Sequence, residues 1–185
     1  MSNMQHELQH LPASAGLEAR TVGRVGIVGA SSTGIGIAIQ LLDAGVPVTF
    51  YEADAAALGA GLAQIRSAWT DTHDSRLALL AGTINFHHLK DADLVVDASE
   101  TEGGEALFRR LDQTTKPGAI LATAAAGAGV DRLAGATRRH GEVLGLRVDR
   151  AQVWELVPGR DTSDPTLATV GALARRLHAP AAARR

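Results

Sequence analysis

The chain has 185 residues and a mass of 19.2 kDa, close to the size of a single domain. It is 45% hydrophobic and 21% charged, which provides enough apolar material for a buried core and excludes a disordered chain. A net charge of −2 gives no electrostatic argument for nucleic acid or an anionic membrane as a partner. The absence of cysteine excludes disulfides, thiolate zinc sites and a cysteine nucleophile.

Three parts of the chain differ in composition. Residues 1–20 are polar and contain proline and glycine, so we predict an N-terminal arm or linker. Residues 21–178 form the predicted domain, and the alanine-rich residues 179–185 form a predicted flexible tail. The first residues lack the basic segment and apolar run of a signal peptide, and no apolar stretch reaches the roughly 18 residues that cross a membrane. We therefore expect a cytoplasmic protein without a membrane partner.

Short apolar runs alternate with longer amphipathic ones from residue 25 onward. The first run, Val25–Val28, is typical of a strand, and Gly45 ends the helix that follows it. The predicted strands are 25–28, 46–51, 83–87, 94–97, 119–123, 143–148 and 153–157. The predicted helices are 34–44, 53–69, 76–80, 105–113, 130–139 and 164–177. Short strands separated by helices predict an α/β domain with a parallel sheet covered on both faces.

A glycine-containing loop joins the first predicted strand to the first predicted helix. A dinucleotide site of the Rossmann type needs three glycines here, for the tight turn, for the approach of the pyrophosphate and for helix–strand packing. Gly29 and Gly34 take the first and third positions, but Ser31 takes the second. The Ser31 hydroxyl can either hydrogen-bond a phosphate or obstruct the cofactor, and the sequence leaves both alternatives open.

An acidic residue ends the second predicted strand. Glu52 follows Gly34 by 18 residues, near the spacing of roughly 20 residues at which an acid meets the ribose hydroxyls of NAD. A carboxylate there repels a 2′-phosphate, so the pattern favours NAD over NADP as the cofactor. The alternative is an exposed acid at the end of a strand that binds no ligand.

Two dehydrogenase families resemble this loop. The run Gly-Ala-Ser-Ser-Thr-Gly-Ile-Gly is similar to the opening of the short-chain dehydrogenases, but their catalytic Tyr-x-x-x-Lys has no counterpart. The only tyrosine, Tyr51, is followed at the lysine position by Ala55. The chain from residue 20 to 177 more closely resembles the NAD-binding domain of the 3-hydroxyacyl-CoA dehydrogenases. That resemblance rests, in order along the chain, on residues 25–42, 48–52, 92–98, 111–123 and 159–177.

The resemblance implies a Rossmann-like, doubly wound, mostly parallel sheet, NAD as the cofactor and an acyl-CoA-like small molecule as a partner. It carries the cofactor-binding role onto the glycine loop, the strand-end acid and two residues after the fourth strand: Gly29, Ala30, Ser31, Ser32, Thr33, Gly34, Glu52, Ala98 and Ser99. The family's helical C-terminal domain has no match in this sequence. Because that domain covers apolar surface in the family, we keep a homo-oligomer as a candidate assembly.

The resemblance also implies that the catalytic residues of the family are replaced. The polar run whose serine contacts the substrate hydroxyl is replaced by Ala124–Gly127. The catalytic histidine is replaced by Arg147, which does not exchange a proton near neutral pH. Glu155 matches the glutamate that pairs with that histidine, so it is the catalytic position retained by motif alone. We therefore predict weak or no dehydrogenation by this chain on its own.

Three functions follow from these patterns. The first is an NAD(H)-binding domain of the 3-hydroxyacyl-CoA dehydrogenase type, which in the family serves fatty-acid β-oxidation. The second is a non-enzymatic scaffold or regulatory module that keeps the fold. The third is a dehydrogenase for a different small substrate, with Glu155 or a carboxylate clamp of Arg147 and Arg150.

No metal site is predicted from the histidines. His6 and His10 have the spacing of a helical pair, but they have no third ligand in the sequence nearby. His87 and His88 are adjacent, so on a predicted strand they face opposite sides of the sheet.

Overall fold

The computed structural model of the chain describes residues 19–71, 74–99, 104–125 and 129–178. Its strands are β1 (Val25–Val28), β2 (Val48–Tyr51), β3 (Leu80–Thr83), β4 (Leu94–Asp97), β5 (Ile120–Thr123), β6 (Val143–Val148) and β7 (Trp154–Pro158). Its α-helices are α1 (Ser32–Asp43), α2 (Ala55–Arg66), α3 (Glu105–Thr114), α4 (Val130–Gly135) and α5 (Asp164–His178). Short 3-10 helices lie at Ser75–Leu79, Phe86–Leu89 and His140–Glu142. The predicted arm up to residue 18 and the tail from residue 179 lie outside the described residues.

The strands form one sheet in the order β3-β2-β1-β4-β5-β6-β7. All neighbouring pairs are parallel except β6 and β7, which are antiparallel. This mostly parallel sheet with helices on both faces confirms the predicted fold class. After the edge strand β3, the chain crosses the sheet to β4, which pairs with the other side of β1. The strand order reverses at this point, and in open α/β sheets ligands bind in the crevice at the carboxyl ends of the two strands that flank such a reversal.

Each face of the sheet is covered by its own set of helices. Residues of α1, α2 and α5 join one buried cluster, which includes Ile27 of β1 and Val96 of β4. Residues of α3 and α4 join a second cluster on the opposite face, with Val28 and Val95. Consecutive strand residues point to opposite faces, so strands buried on both sides are rich in apolar residues, as β1 and the first three residues of β4 are.

The third strand differs from the prediction. The structure places it at Leu80–Thr83 and forms a 3-10 helix at Phe86–Leu89, so the predicted strand at 83–87 is wrong apart from its first residue. Phe86 and Leu89 are spaced so that both side chains are buried on one side of this helix. His87 and His88 are therefore exposed residues of a 3-10 helix. The prediction that they face opposite sides of the sheet is wrong, because they are not in a strand.

The β6–β7 hairpin is fastened to α1. The Trp154 indole N–H donates to the side-chain oxygen of Gln40 at 2.7 Å, and the Gln40 amide donates to the carbonyl of Gln152 at 2.5 Å. Gln152 adopts a positive φ of 62°, which turns the chain back toward β7. The hairpin is thereby fixed over the helix that follows the glycine loop. None of the described helices is long and apolar enough to cross a membrane.

Candidate functional site

Two glycines of the loop between β1 and α1 are required by close packing. Gly29 has a φ of +102°, and a Cβ there would lie 2.7 Å from the backbone of Ser99. A Cβ on Gly34 would lie 2.4 Å from the carbonyl oxygen of Gly29. The loop after β1 therefore lies directly against the loop after β4, and the start of α1 lies directly against both.

Ser31 caps the first turn of α1. Its hydroxyl oxygen accepts the N–H of Gly34 at 3.1 Å, and its proton is donated to the carbonyl of Ala98 at 2.7 Å. The side chain thus connects the helix start to the end of β4. The sequence left open whether Ser31 bonds a phosphate or obstructs the cofactor, and neither alternative included its bond to Ala98.

The next backbone N–H groups of the loop are left without a partner among the described residues. The N–H groups of Ser31, Ser32 and Thr33 make no hydrogen bond there, and the residues at 32 and 33 are exposed. Free N–H groups at the positive end of a 12-residue helix attract anions such as a pyrophosphate.

Glu52 lies beside this loop. One of its carboxylate oxygens accepts the N–H of Ala30 at 3.0 Å, and the other accepts those of Ala53 at 2.8 Å and Asp54 at 3.3 Å. The residue is half-buried and bonded to the loop, so it differs from the freely exposed strand-end acid of the alternative interpretation. The structure brings the predicted loop and the predicted acid together.

The predicted residues Ala98 and Ser99 complete the other wall of the crevice. The Ala98 N–H donates to the carbonyl of Val28 at 2.8 Å, which places the end of β4 against the end of β1. The Ser99 N–H and hydroxyl both donate to one carboxylate oxygen of Asp97, at 3.0 and 2.6 Å. All nine predicted cofactor-binding positions therefore lie around a single crevice.

Asp97 was not anticipated as part of this wall. It is only 3% exposed, and burial raises the pKa of its carboxyl above the usual range, against the lowering effect of the Ser99 hydrogen bonds. The sequence signal for it is an acid that ends the apolar run of β4, immediately before Ala98 and Ser99.

The predicted catalytic position Glu155 faces Arg147 across the β6–β7 pair. The Arg147 guanidinium lies 3.4 Å from both carboxylate oxygens of Glu155. The two side chains are 70% and 65% exposed, so this is a loose, solvated ion pair. The arginine at the position where the family has its histidine is thus the partner of Glu155.

The segment after β5 offers no polar side chain in its described part. Ala124 and Ala125 are half-buried, and their N–H groups donate to the carbonyl of Asp97 at 2.7 Å and the hydroxyl of Thr123 at 3.2 Å. The remaining predicted positions, 126 and 127, lie outside the described residues. Within the described ranges, no three His, Asp or Glu side chains are grouped as a metal site would require.

A separate cavity of about 240 Å³ lies at the amino ends of β1, β4 and β5, on the opposite side of the sheet from the glycine loop. It is lined by Arg20, Lys116 and Asp93, among others. Lys116 pairs with Asp93 at 2.6 Å, and Arg20 donates to the carbonyl of Gly118 at 2.9 Å. The charged side chains of this cavity are therefore already bonded within the chain.

The geometry at this loop fits the diphosphate and ribose of a dinucleotide. Two glycines allow close packing, the helix start presents free N–H groups, and a carboxylate stands next to them. Ser31 is the departure, because its side chain occupies the position where the pyrophosphate approaches most closely.

The chain is similar in sequence and fold to known dehydrogenases. A 3-hydroxybutyryl-CoA dehydrogenase of Mycobacterium tuberculosis is 36% identical over 138 residues, covering 68% of this chain and 48% of the relative. A peroxisomal bifunctional enzyme of Cavia porcellus is 29% identical over 175 residues, covering 86% of this chain and 24% of the relative. The structure of (S)-3-hydroxybutyryl-CoA dehydrogenase from Ralstonia eutropha superimposes with a TM-score of 0.79 at 28% identity, covering 85% of this chain and 61% of that one.

The chain spans about a quarter to a half of the length of those two curated relatives. The family described as "3-hydroxyacyl-CoA dehydrogenase, NAD binding domain" matches residues 24–181, nearly all of the predicted domain. This match confirms the resemblance drawn from the motifs, and it confirms NAD as the cofactor of the family. The chain therefore belongs to the NAD-binding domains of the 3-hydroxyacyl-CoA dehydrogenases.

Proposed function

We propose that this chain binds NAD(H) at the glycine loop, as a domain of the 3-hydroxyacyl-CoA dehydrogenase type with weak or no turnover of its own. The observation that carries the proposal is the juxtaposition of free N–H groups at the start of α1 with the Glu52 carboxylate. The backbone donors suit the pyrophosphate, and the carboxylate suits the ribose hydroxyls.

Glu52 is the residue that favours NAD over NADP. Its bond to the Ala30 N–H holds the carboxylate at the loop, where lone pairs remain available to ribose hydroxyl donors. A 2′-phosphate at the same place meets like charge, which lowers its affinity. When bound, NAD supplies a nicotinamide ring that accepts or returns a hydride.

The chain's own residues support little proton transfer beside that ring. Dehydrogenation of a 3-hydroxyacyl-CoA needs a base for the hydroxyl proton, and the removal of such a group lowers a rate by about 10²–10⁴-fold. Arg147 stays protonated near neutral pH, and Ala124 and Ala125 have no polar side chain. We therefore propose that an acyl-CoA-like molecule is a ligand of this domain and is not converted rapidly by it.

The test is a fluorescence titration of the chain with NADH. We expect saturable binding that is weakened by Glu52→Ala, and weaker binding of NADPH than of NADH. The matched control is Asp91→Ala, because Asp91 is exposed and precedes β4 at the other edge of the sheet. Equal loss in both variants, or no binding at millimolar NADH, contradicts the proposal.

A second candidate is a scaffold or regulatory module that kept the fold and lost the ligand. The observation in its favour is that Ser31 and Arg147 both engage other parts of the chain in place of a ligand, namely Ala98 and Glu155. This candidate predicts no effect of NADH on the unfolding temperature.

A further inference from the structure

We propose that Ser31 is a latch on the cofactor crevice, and that its hydroxyl must leave Ala98 before a diphosphate can reach the loop. The side chain then lowers the affinity for the diphosphate part of NAD and leaves the adenosine part unaffected. This inference rests on the proposed function, because it concerns the affinity of the same crevice.

The Ser31 hydroxyl has no proton left for a phosphate while it is bonded to Ala98. A serine hydroxyl has one proton, and here that proton is donated to the Ala98 carbonyl at 2.7 Å. The oxygen already accepts the Gly34 N–H at 3.1 Å. Phosphate oxygens are acceptors as well, so the closed hydroxyl turns a lone pair, and no donor, toward an arriving diphosphate.

The bond from Ser31 to Ala98 also lies where a diphosphate would approach the loop. The latch bond connects the start of α1 to the end of β4, and it therefore crosses the crevice where β1 and β4 end. Glycine at this point of a dinucleotide loop lets the pyrophosphate approach the backbone. While Ser31 is bonded to Ala98, its Cβ and hydroxyl narrow the space through which the pyrophosphate approaches the backbone. The Gly34 N–H is also unavailable to a phosphate, because it already donates to the Ser31 hydroxyl.

Neighbouring hydroxyls do not share this role. Ser32 and Thr33 are exposed, and their side chains make no hydrogen bond with the described residues. They are free to turn toward a phosphate or toward water. Ser31 is half-buried, and its hydroxyl is bonded to both Ala98 and Gly34. Its side chain therefore lowers the affinity for a diphosphate, whereas those of Ser32 and Thr33 do not.

The size of the effect follows from the net strength of a hydrogen bond. One intramolecular bond shifts an equilibrium by about 2- to 10-fold, because it replaces bonds to water. Breaking the bond to Ala98 before binding reduces the apparent affinity by a similar factor, as for any minor competent state. We expect Ser31→Ala and Ser31→Gly each to bind ADP-ribose and NADH about 2- to 10-fold more tightly than the wild type.

The experiment measures the affinity of adenosine, ADP-ribose and NADH by calorimetry for the wild type, both Ser31 variants and the control Ser67→Ala, which removes a similar hydroxyl–carbonyl bond of 2.7 Å at the end of α2. The latch predicts tighter binding of the two diphosphate ligands in both Ser31 variants, unchanged adenosine affinity, and no gain in the control. Hydrogen exchange of the Gly34 amide in the unliganded protein gives a second readout, and it is expected to be faster in both Ser31 variants.

Several results overturn the latch. Weaker binding in both variants makes Ser31 a phosphate ligand, and tighter binding in Ser31→Gly alone makes the Cβ the obstacle. Unchanged affinity removes any role for the residue. If the wild type binds ADP-ribose and only the expected gain is missing, the latch alone fails. If no protein in the set binds adenosine, ADP-ribose or NADH, the proposed function fails together with it.

Discussion

Gly34 has no room for a side chain because the start of α1 contacts the carbonyl of Gly29. A methyl group would lie 2.4 Å from that oxygen, which is backbone and has no rotamer to change. We expect Gly34→Ala to lower the free energy of unfolding by about 1–3 kcal/mol, as overpacking does elsewhere, and to weaken NADH binding by displacing the loop. Urea unfolding and the NADH titration measure the two effects.

The control for this substitution is Gly59→Ala. Gly59 is exposed in α2, and a Cβ there meets nothing within 4 Å. Alanine in place of a helical glycine is expected to raise stability by about 0.4–1 kcal/mol. Equal stability of the two variants contradicts the packing argument at Gly34.

Asp97 allows the pH dependence of a single buried carboxyl to be tested. Burial raises its folded-state pKa above the unfolded value, so its contribution to stability is present below the unfolded pKa and is lost as pH rises through the folded pKa. Asp97→Asn keeps an oxygen that accepts from Ser99 and has no charge to bury. We expect its stability relative to the wild type to increase from acid to neutral pH, as measured by urea unfolding at both. A relative stability that falls over this range contradicts the raised pKa.

That the predicted cofactor-binding residues lie close together was predictable from the sequence, whereas their hydrogen bonds were not. The spacing of Gly29, Gly34 and Glu52 follows from a strand–loop–helix–strand unit, which any sequence of this pattern shares. The direction of the Ser31 hydroxyl depends on Ala98, which is 67 positions away in the chain. Such a bond is determined by the contact between two loops and leaves no local pattern in the sequence.

Helix α3 is connected to the segment after α4 through the buried carboxylate of Asp112. Asp112 is 6% exposed and accepts from the side chains of Arg139 at 2.7 Å and Arg138 at 3.1 Å. Arg139 also donates to the carbonyls of Lys116 and Ala119, so it fastens α3 to the turn before β5. Burial alone raises the pKa of the Asp112 carboxyl, but the hydrogen bonds from Arg139 and Arg138 outweigh it and hold the pKa below the usual range.

Asp112→Asn therefore has a pH dependence with the opposite sign to Asp97→Asn. The lowered folded-state pKa of Asp112 means that its stabilisation is present above the unfolded pKa and is lost as pH falls through the folded pKa. At neutral pH the variant leaves the half-buried Arg139 without its charged partner, and removal of one partner of a fully buried pair, which is the upper limit here, costs about 3–5 kcal/mol. We expect the gap between wild type and variant to narrow in acid, as measured by urea unfolding from neutral pH to below about pH 4. A gap that widens in acid contradicts this assignment.

Central strands were predicted accurately and an edge strand was not. The first three residues of β4 are apolar and all four are buried, so a central strand is the structure that this run favours. The strand β3 has one neighbour, and its Gly82 faces the Leu62 side chain, which would lie 2.4 Å from an added Cβ. A weak strand of this kind depends on packing with α2, so the more strand-like composition around Phe86 was misleading.

The strand order explains why one small chain can form a complete cofactor crevice. β1 lies in the middle of the sheet between β2 and β4, so the loops after these three strands meet at one edge. The first contributes the glycine loop, the second Glu52 and the third Ala98. The Arg147–Glu155 pair belongs to the β6–β7 hairpin at the far side of the sheet. The predicted cofactor-binding positions and the predicted catalytic position Glu155 thus lie on separate parts of the fold.

The proposed binding of NADH to this crevice is expected to stabilise the folded chain as a whole, since the unfolded chain has no crevice. At a ligand concentration 100-fold above the dissociation constant the stabilisation is about 2.7 kcal/mol. For a chain of 185 residues this raises the unfolding temperature by about 5–10 °C. Thermal unfolding followed by circular dichroism with and without NADH measures the shift, and Glu52→Ala is expected to show a smaller one at the same concentration. A wild-type unfolding temperature that stays constant up to millimolar NADH favours the scaffold function, because a site that binds no cofactor cannot transmit its binding energy to the fold.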